Sequence, residues 1–225
     1  MRSTQQLSAY DNLKNKLITL ELEPGQKIKE TELQEALDVG RTPLREALIQ
    51  LKAEGLITVL PQSGTYVSKI NPSLIENGSF VRRVVERQVI QSVIEKPSLE
   101  FINQLELNLA QTKILETLPN PTALFEFDMA FHELFYQVAN KEQVWQWLQV
   151  TGTDLNRINY LVLSTMKNAT AFVIKQHQAI INSIKARYTE QTLQLGEEHF
   201  NHIVQSYPDL IKAYPDYFSE DKVNK

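Results

Sequence analysis

The sequence predicts a mainly α-helical protein in two parts. Three helices closed by a β-hairpin fill the first seventy residues, and an all-helical bundle follows. Apolar residues recur at three- and four-residue spacing through most of the chain, which is the period of amphipathic helices. That spacing gives way to two short β-rich runs around Pro61-Gln62-Ser63-Gly64, the composition of a hairpin turn. The polar stretch Lys69-Ile70-Asn71-Pro72-Ser73 contains an Asn-Pro step and marks the boundary. The expected domains are therefore 1–70 and 71–215, with 216–225 as a disordered polar tail.

A chain of 225 residues, 42% hydrophobic and 22% charged, has the composition of an ordinary globular protein and the length for two modest cores. It contains no run of about 18 apolar residues. Met1-Arg2-Ser3-Thr4-Gln5-Gln6 also lacks the apolar core of a signal peptide. A cytoplasmic protein without a membrane span is the expectation. The absence of cysteine excludes disulfides, thiolate metal sites and cysteine nucleophiles, so His, Asp and Glu are the strong candidate metal ligands. Residues 1–70 hold nine basic and nine acidic side chains, leaving 14 basic and 18 acidic for the remainder. A nucleic-acid reader needs a local basic face, which total charge measures poorly.

Leu7, Tyr10, Leu13, Leu17 and Leu20 share one face of the first helix, which Pro24-Gly25 follows as a turn. Thr31 and Gln34 have capping-box spacing at the start of a second helix running to Leu37. After Asp38-Val39-Gly40, Thr42 is the expected N-cap and Pro43 the first residue of a third helix, with Leu44, Ala47, Leu48 and Leu51 buried and Gly55 ending it. Leu56–Val59 and Thr65–Ser68 are the expected strands of the hairpin. Beyond the boundary six helices are expected, near 79–95, 98–117, 122–139, 142–166, 170–187 and 190–206.

Arg41 and Arg45 lie one turn apart at the start of the third helix, with Thr42 between them. That is where a recognition helix enters the major groove, and arginine bonds guanine O6 and N7 bidentately. Lys52 follows on a similar face as a phosphate contact, and Gly64 at the hairpin leaves room for a close backbone approach to DNA. Two arginines on a helix are by themselves also compatible with a solvated face, Arg45 pairing with Glu46 or Glu54.

The ordered strings Pro24-Gly25-Gln26-Lys27-Ile28-Lys29-Glu30, Gly40-Arg41-Thr42-Pro43-Leu44-Arg45-Glu46-Ala47-Leu48 and Leu51-Lys52-Ala53-Glu54-Gly55-Leu56-Ile57 resemble the winged helix-turn-helix of GntR-family bacterial regulators. The resemblance covers about residues 7–68. It implies a double-stranded DNA partner, with Arg41 and Arg45 as base or phosphate contacts and Gly64 at the wing tip. The chain departs from the family pattern at Asp38, where Gly is common, and at Gly40, where Ser or Thr is common.

In the second part, Asp128 and His132 are four apart in a helical segment and so share a face. Such a pair suits one metal ion, a helix ion pair or a hydrogen-bonded core histidine. His177 lies beside Ile174, Ile180, Ile181 and Ile184, and His199 beside Leu195, Phe200 and Ile203, so both are expected to face a bundle interior. Three neutral imidazoles and one carboxylate suit zinc or another first-row divalent ion such as nickel or manganese. His202 is expected at the surface.

Asp128-Met129-Ala130-Phe131-His132-Glu133-Leu134 with Asn140, His177-Gln178-Ala179-Ile180, His199 and Arg82-Arg83-Val84-Val85-Glu86 are similar to the FCD effector domain of FadR-type GntR regulators. This second resemblance spans about 72–210. It implies a metal centre of Asp128, His132, His177 and His199, and the six expected helices point to the shorter subtype. It further implies a small organic acid anchored on the ion, with Arg82 or Arg157 completing its charge balance. A homodimer on a palindromic operator, acting as a repressor released by that acid, is the functional expectation. A metal-dependent hydrolase built on the bundle is the alternative.

Overall fold

The computed structural model describes residues 8–220 and divides the chain into two compact units. The first comprises Met1–Pro72 with Ile211–Lys225, and the second Ser73–Leu210.

In the first unit, α1 (Ala9–Ile18) starts where the Ser8 hydroxyl accepts a hydrogen bond from the Asp11 N–H at 3.1 Å. Its expected beginning at Leu7 lies outside the described residues. Leu20 falls beyond the helix end, in a left-handed conformation with φ 56°. A short strand, β1 (Lys27–Ile28), comes next, and two residues are too few to leave a period-2 signal. Lys29 is still extended and acts as N-cap of α2 (Glu30–Leu37) without a side-chain bond. Thr31 is therefore already inside the first turn, and the expected capping box does not form. Asp38 ends α2 in the left-handed region at φ 50°.

The third helix, α3 (Arg41–Ala53), also begins earlier than expected, with Gly40 rather than Thr42 as N-cap. Pro43 is consequently its third residue. This is tolerated because first-turn N–H groups have no intrahelical partner to lose. Leu44, Ala47, Leu48 and Leu51 are buried as the spacing requires, and α3 packs on α1, whose Leu13 and Leu17 are buried. Two strands, β2 (Ile57–Leu60) and β3 (Gly64–Val67), pair antiparallel with Ile57 opposite Val67 and Leu60 opposite Gly64. β1 joins the other edge of β3, giving the order β1-β3-β2.

The expected disordered tail from 216 is corrected over 216–220. Pro215–Tyr217 forms a 3-10 turn, and Phe218 is buried and pairs parallel with Ile70. The Ile70 N–H donates to the Tyr217 carbonyl at 2.8 Å and the Ser219 N–H to the Ile70 carbonyl at 2.9 Å. An aromatic side chain in a polar stretch supplies the apolar area that anchors this segment. Residues 221–225 lie outside the described ones.

The second unit is built from α4 (Pro72–Ile94), α5 (Leu99–Ile114), α6 (Pro121–Val138), α7 (Glu142–Thr151), α8 (Thr153–Thr165), α9 (Ala169–Lys185) and α10 (Thr189–Ala213). Pro72 takes the first position of α4, where its missing N–H costs nothing, so that helix starts seven residues before the expected 79. Ser98 and Asn120 cap α5 and α6 through side-chain oxygens. α5 packs on both α6 and α9, and its Phe101 meets Phe135 of α6 edge-to-face at 5.1 Å.

Seven helices stand where six are expected, because the 142–166 segment divides at Gly152. The apolar period continues across the break, so spacing alone does not reveal it. A Cβ at Gly152 would lie 2.7 Å from the Leu148 carbonyl oxygen, a distance that only glycine avoids. Gly152→Ala is therefore expected to destabilise the helical unit by about 1–3 kcal/mol, as overpacking does, measured from the shift in its urea midpoint.

Candidate metal centre and nucleic-acid interface

Asp128 and His132 sit one turn apart on the buried face of α6, His177 on α9 and His199 on α10, all at most 5% exposed. Phe131 fixes one wall by stacking on the His177 ring, with centroids 3.7 Å apart and planes 9° apart. His199 Nε2 lies 3.2 Å from His132 Nε2 and 3.3 Å from His177 Nε2. Asp128 Oδ1 lies 3.4 Å from His177 Nε2 and 3.3 Å from His199 Nε2. The four ligand atoms all fall within 4.8 Å of one another.

Two features of this cluster fit a shared ion better than a hydrogen-bond network. Ligand atoms about 2.0–2.1 Å from one zinc ion stand about 3.3–3.4 Å apart when tetrahedral, and four of the six ligand pairs here are separated by 3.2–3.4 Å. Among the described residues Asp128 Oδ1 also has no hydrogen bond of acceptable geometry, although two imidazole nitrogens are this close. Nitrogen and oxygen donors without thiolate suit first-row divalent ions.

Electrostatics keep Asp128 and His177 in their metal-binding forms. Burial alone would raise Asp128, but its contacts with His177 and His199 and the His132 charge hold it well below the usual carboxylate range. Burial, aided by the neighbouring imidazoles and opposed by Asp128, lowers His177 to about 4.

Two residues at this site escape sequence reasoning. Asn159 of α8 donates to Asp128 Oδ2 at 3.2 Å, and Glu86 of α4 bonds His132 Nδ1. The Arg82–Glu86 pair is visible as an i, i+4 spacing, but neither contact to the cluster leaves a local signal.

Arg82 and Arg157 are 3% and 1% exposed, so neither is a solvated helix residue. Arg82 Nε bonds Glu86 at 3.0 Å, and Arg157 pairs with Asp154 on α8. Arg82 also lines a cavity of about 190 Å³ with Val81, Leu148, Gln149 and Asn156. His202, expected at the surface, is half-buried, tilted against Phe172 and beside the Met166 sulfur at 3.4 Å; it stands outside the four-residue group. The Ile203 side chain lies outside the described ones.

In the first unit, Arg41, Thr42, Arg45 and Lys52 are all exposed on α3. Arg45 pairs with Glu30 of α2 at 3.6 Å rather than with Glu46 or Glu54. Glu54 is taken by Tyr10 and Lys14, at 2.5 and 2.7 Å. At Gly64 the nearest side chain is that of the exposed Lys27. The Gly64 φ is 132°, and a Cβ there would stand 2.9 Å from Lys27 Cε. The glycine is favoured by its positive φ, since the exposed end of the Lys27 side chain could move aside.

The His177 shift sets a pH dependence. Its folded value of about 4 lies below the ordinary 6.5, so between the two the unfolded chain binds more protons than the folded one. With metal chelated, the helical unit is expected to lose thermal stability as pH falls from about 6.5 towards 4, and to show no His177 contribution above that window. A melting temperature that is flat or rising across the fall would contradict the buried neutral imidazole.

Comparison with known proteins agrees with this geometry. Residues 5–67 match the model of bacterial regulatory proteins of the gntR family, and residues 79–202 match the FCD domain. The chain is 28% identical over 212 residues to the HTH-type transcriptional repressor RspR of Escherichia coli K12, covering 94% of this chain and 92% of that one. It is 29% identical over 224 residues to an uncharacterised HTH-type regulator of Streptomyces ambofaciens, covering 97% and 91%. The fold is similar to that of E. coli McbR/YncC, with a TM-score of 0.76 at 17% identity over 92% of this chain and 96% of that one. No described helix is long and apolar enough to cross a membrane. With a GntR reading head and an FCD domain that together span most of its length, the chain belongs to the GntR family of transcriptional regulators, in its FCD branch.

Proposed function

We propose that this regulator is a cytoplasmic homodimeric repressor that binds a palindromic operator and is released by a small carboxylate held at its metal centre. The observation that carries the reading is the convergence of Asp128 Oδ1 and three imidazole nitrogens in one buried cluster. Asp128, His132, His177 and His199 would hold a first-row divalent ion, zinc expanding to five-coordinate or nickel or manganese at higher coordination, so that a position beyond these four ligands stays open. The ion supplies a Lewis-acidic anchor for a carboxylate oxygen. Arg82 or Arg157 completes the charge balance of that acid: Arg82 is paired with Glu86 and keeps Nη1 without a hydrogen-bond partner among the described residues, and Arg157 is paired with Asp154. The repressor sign is taken from RspR, which carries that name.

DNA contact falls to Arg41, Thr42, Arg45 and Lys52, with Gly64 at the wing. Releasing Arg45 from Glu30 costs little, since exposed ion pairs contribute about 0–1 kcal/mol. A dimer of such heads reads two half-sites of opposite orientation. Differential binding of the acid to two bundle states then biases operator affinity. The hydrolase reading gains no support: Glu86, the carboxylate at the edge of the cluster, is bonded to His132 and Arg82 rather than free to act as a base.

Two measurements test these roles separately. Arg45→Ala is expected to weaken operator binding by about 1–3 kcal/mol if it makes a bidentate base contact, and unchanged mobility-shift titrations would remove it from the interface. His177→Ala is expected to abolish metal uptake and response to small carboxylates while leaving operator binding largely intact. DNA release that stays fully acid-sensitive in this variant would overturn the metal-anchored mechanism.

A further inference from the structure

We infer that Glu86 is a positioning residue for the metal centre and that through it α4 is tied to the occupancy of the ion site. The inference rests on the metal reading above and adds a fourth helix to a centre whose ligands come from α6, α9 and α10.

An imidazole gives one ring nitrogen to a metal, and the partner of the other nitrogen fixes its tautomer and orientation. His132 turns Nε2 towards the cluster and has Nδ1 on Glu86 Oε1. His177 Nδ1 and His199 Nδ1 find no hydrogen-bond partner among the described residues. His132 is thus the imidazole the protein braces from behind, and the brace comes from α4.

Glu86 is itself held. Its Oε2 accepts from Arg82 Nε at 3.0 Å, one turn away on the same helix. The Arg82 guanidinium carbon stands 5.4 Å from the Trp145 ring and 5.3 Å from the Phe200 ring, which confine it between α7 and α10. A carboxylate 6% exposed is costly without a counter-charge, and Arg82 supplies it. The connection therefore runs from two aromatic rings through Arg82 and Glu86 to His132. α4 offers no ligand atom of its own, yet an ion that draws His132 into place acts on Glu86. This helix begins at Pro72, where the chain leaves the DNA-reading unit.

The test uses full-length wild type, Glu86→Gln, and the double variant Arg82→Met with Glu86→Gln, which removes both buried charges together so that neither is stranded. Zinc affinity is measured by competition with a chromophoric chelator, cobalt(II) binding by its visible absorption, and exchange of the 72–94 amides with and without metal. The expected result is a metal Kd raised about 10–100-fold in both variants, as for outer-shell carboxylates generally. Cobalt bands should shift relative to the wild type, and the metal-induced protection of 72–94 expected in the wild type should be lost. If Glu86→Gln does not fold, the double variant decides alone. Wild-type affinity, cobalt spectrum and α4 protection in the folded variants would overturn this inference and leave the metal centre standing. A wild type that takes up no metal would overturn both.

Discussion

The helical unit depends on one buried carboxylate. Asp128 is 2% exposed and faces imidazoles from two other helices, an arrangement that costs several kcal/mol unless its charge is met. Meeting it requires α6, α9 and α10 to converge at one point. The apolar packing serves that convergence: Phe131 stacks on His177, Phe135 locks against Phe101, and Asn159 steadies the second Asp128 oxygen. An ion bound by this cluster would add its binding free energy to the stability of the folded unit. The same property suits a sensing domain, because its stability then reports what is bound.

The candidate site was legible in the sequence to the extent that it obeys helical periodicity. Asp128 and His132 declare themselves by their four-residue spacing, and His177 and His199 by the isoleucines and phenylalanine beside them. Glu86 and Asn159 do not, because they reach the cluster across 46 and 31 residues. Contacts at such separations are set by packing, for which local spacing carries no information. Arg82 shows the intermediate case. Its pairing with Glu86 follows from position, whereas its burial between Trp145 and Phe200 does not.

The fold was legible in the same graded way. Apolar faces fixed which residues of α1 and α3 are buried, yet the starts of α2 and α3 each moved by two residues because backbone conformation at Lys29 and Gly40 overrode good capping side chains further on. The break at Gly152 depends on a carbonyl 2.7 Å from a missing Cβ, a steric fact with no echo in apolar period. Phe218 anchors a segment whose polarity alone suggests a loose end. Its partner, Ile70, lies 148 residues earlier.

Charge in the reading head follows a related logic. Nine acidic residues cancel nine basic ones over residues 1–70, which argues against a nucleic-acid binder if charge is only counted. The structure shows where the acids are spent. Glu54 joins α1 to α3 through Tyr10 and Lys14, and Glu32 pairs with Lys29 on α2. Arg41 has no ion pair among the described residues, and Arg45 has a long, exposed one with Glu30. Acids committed to structural contacts therefore neutralise the total without neutralising the start of α3. Since attraction to a phosphate is screened beyond about 10 Å at ordinary ionic strength, this local balance governs the approach to DNA.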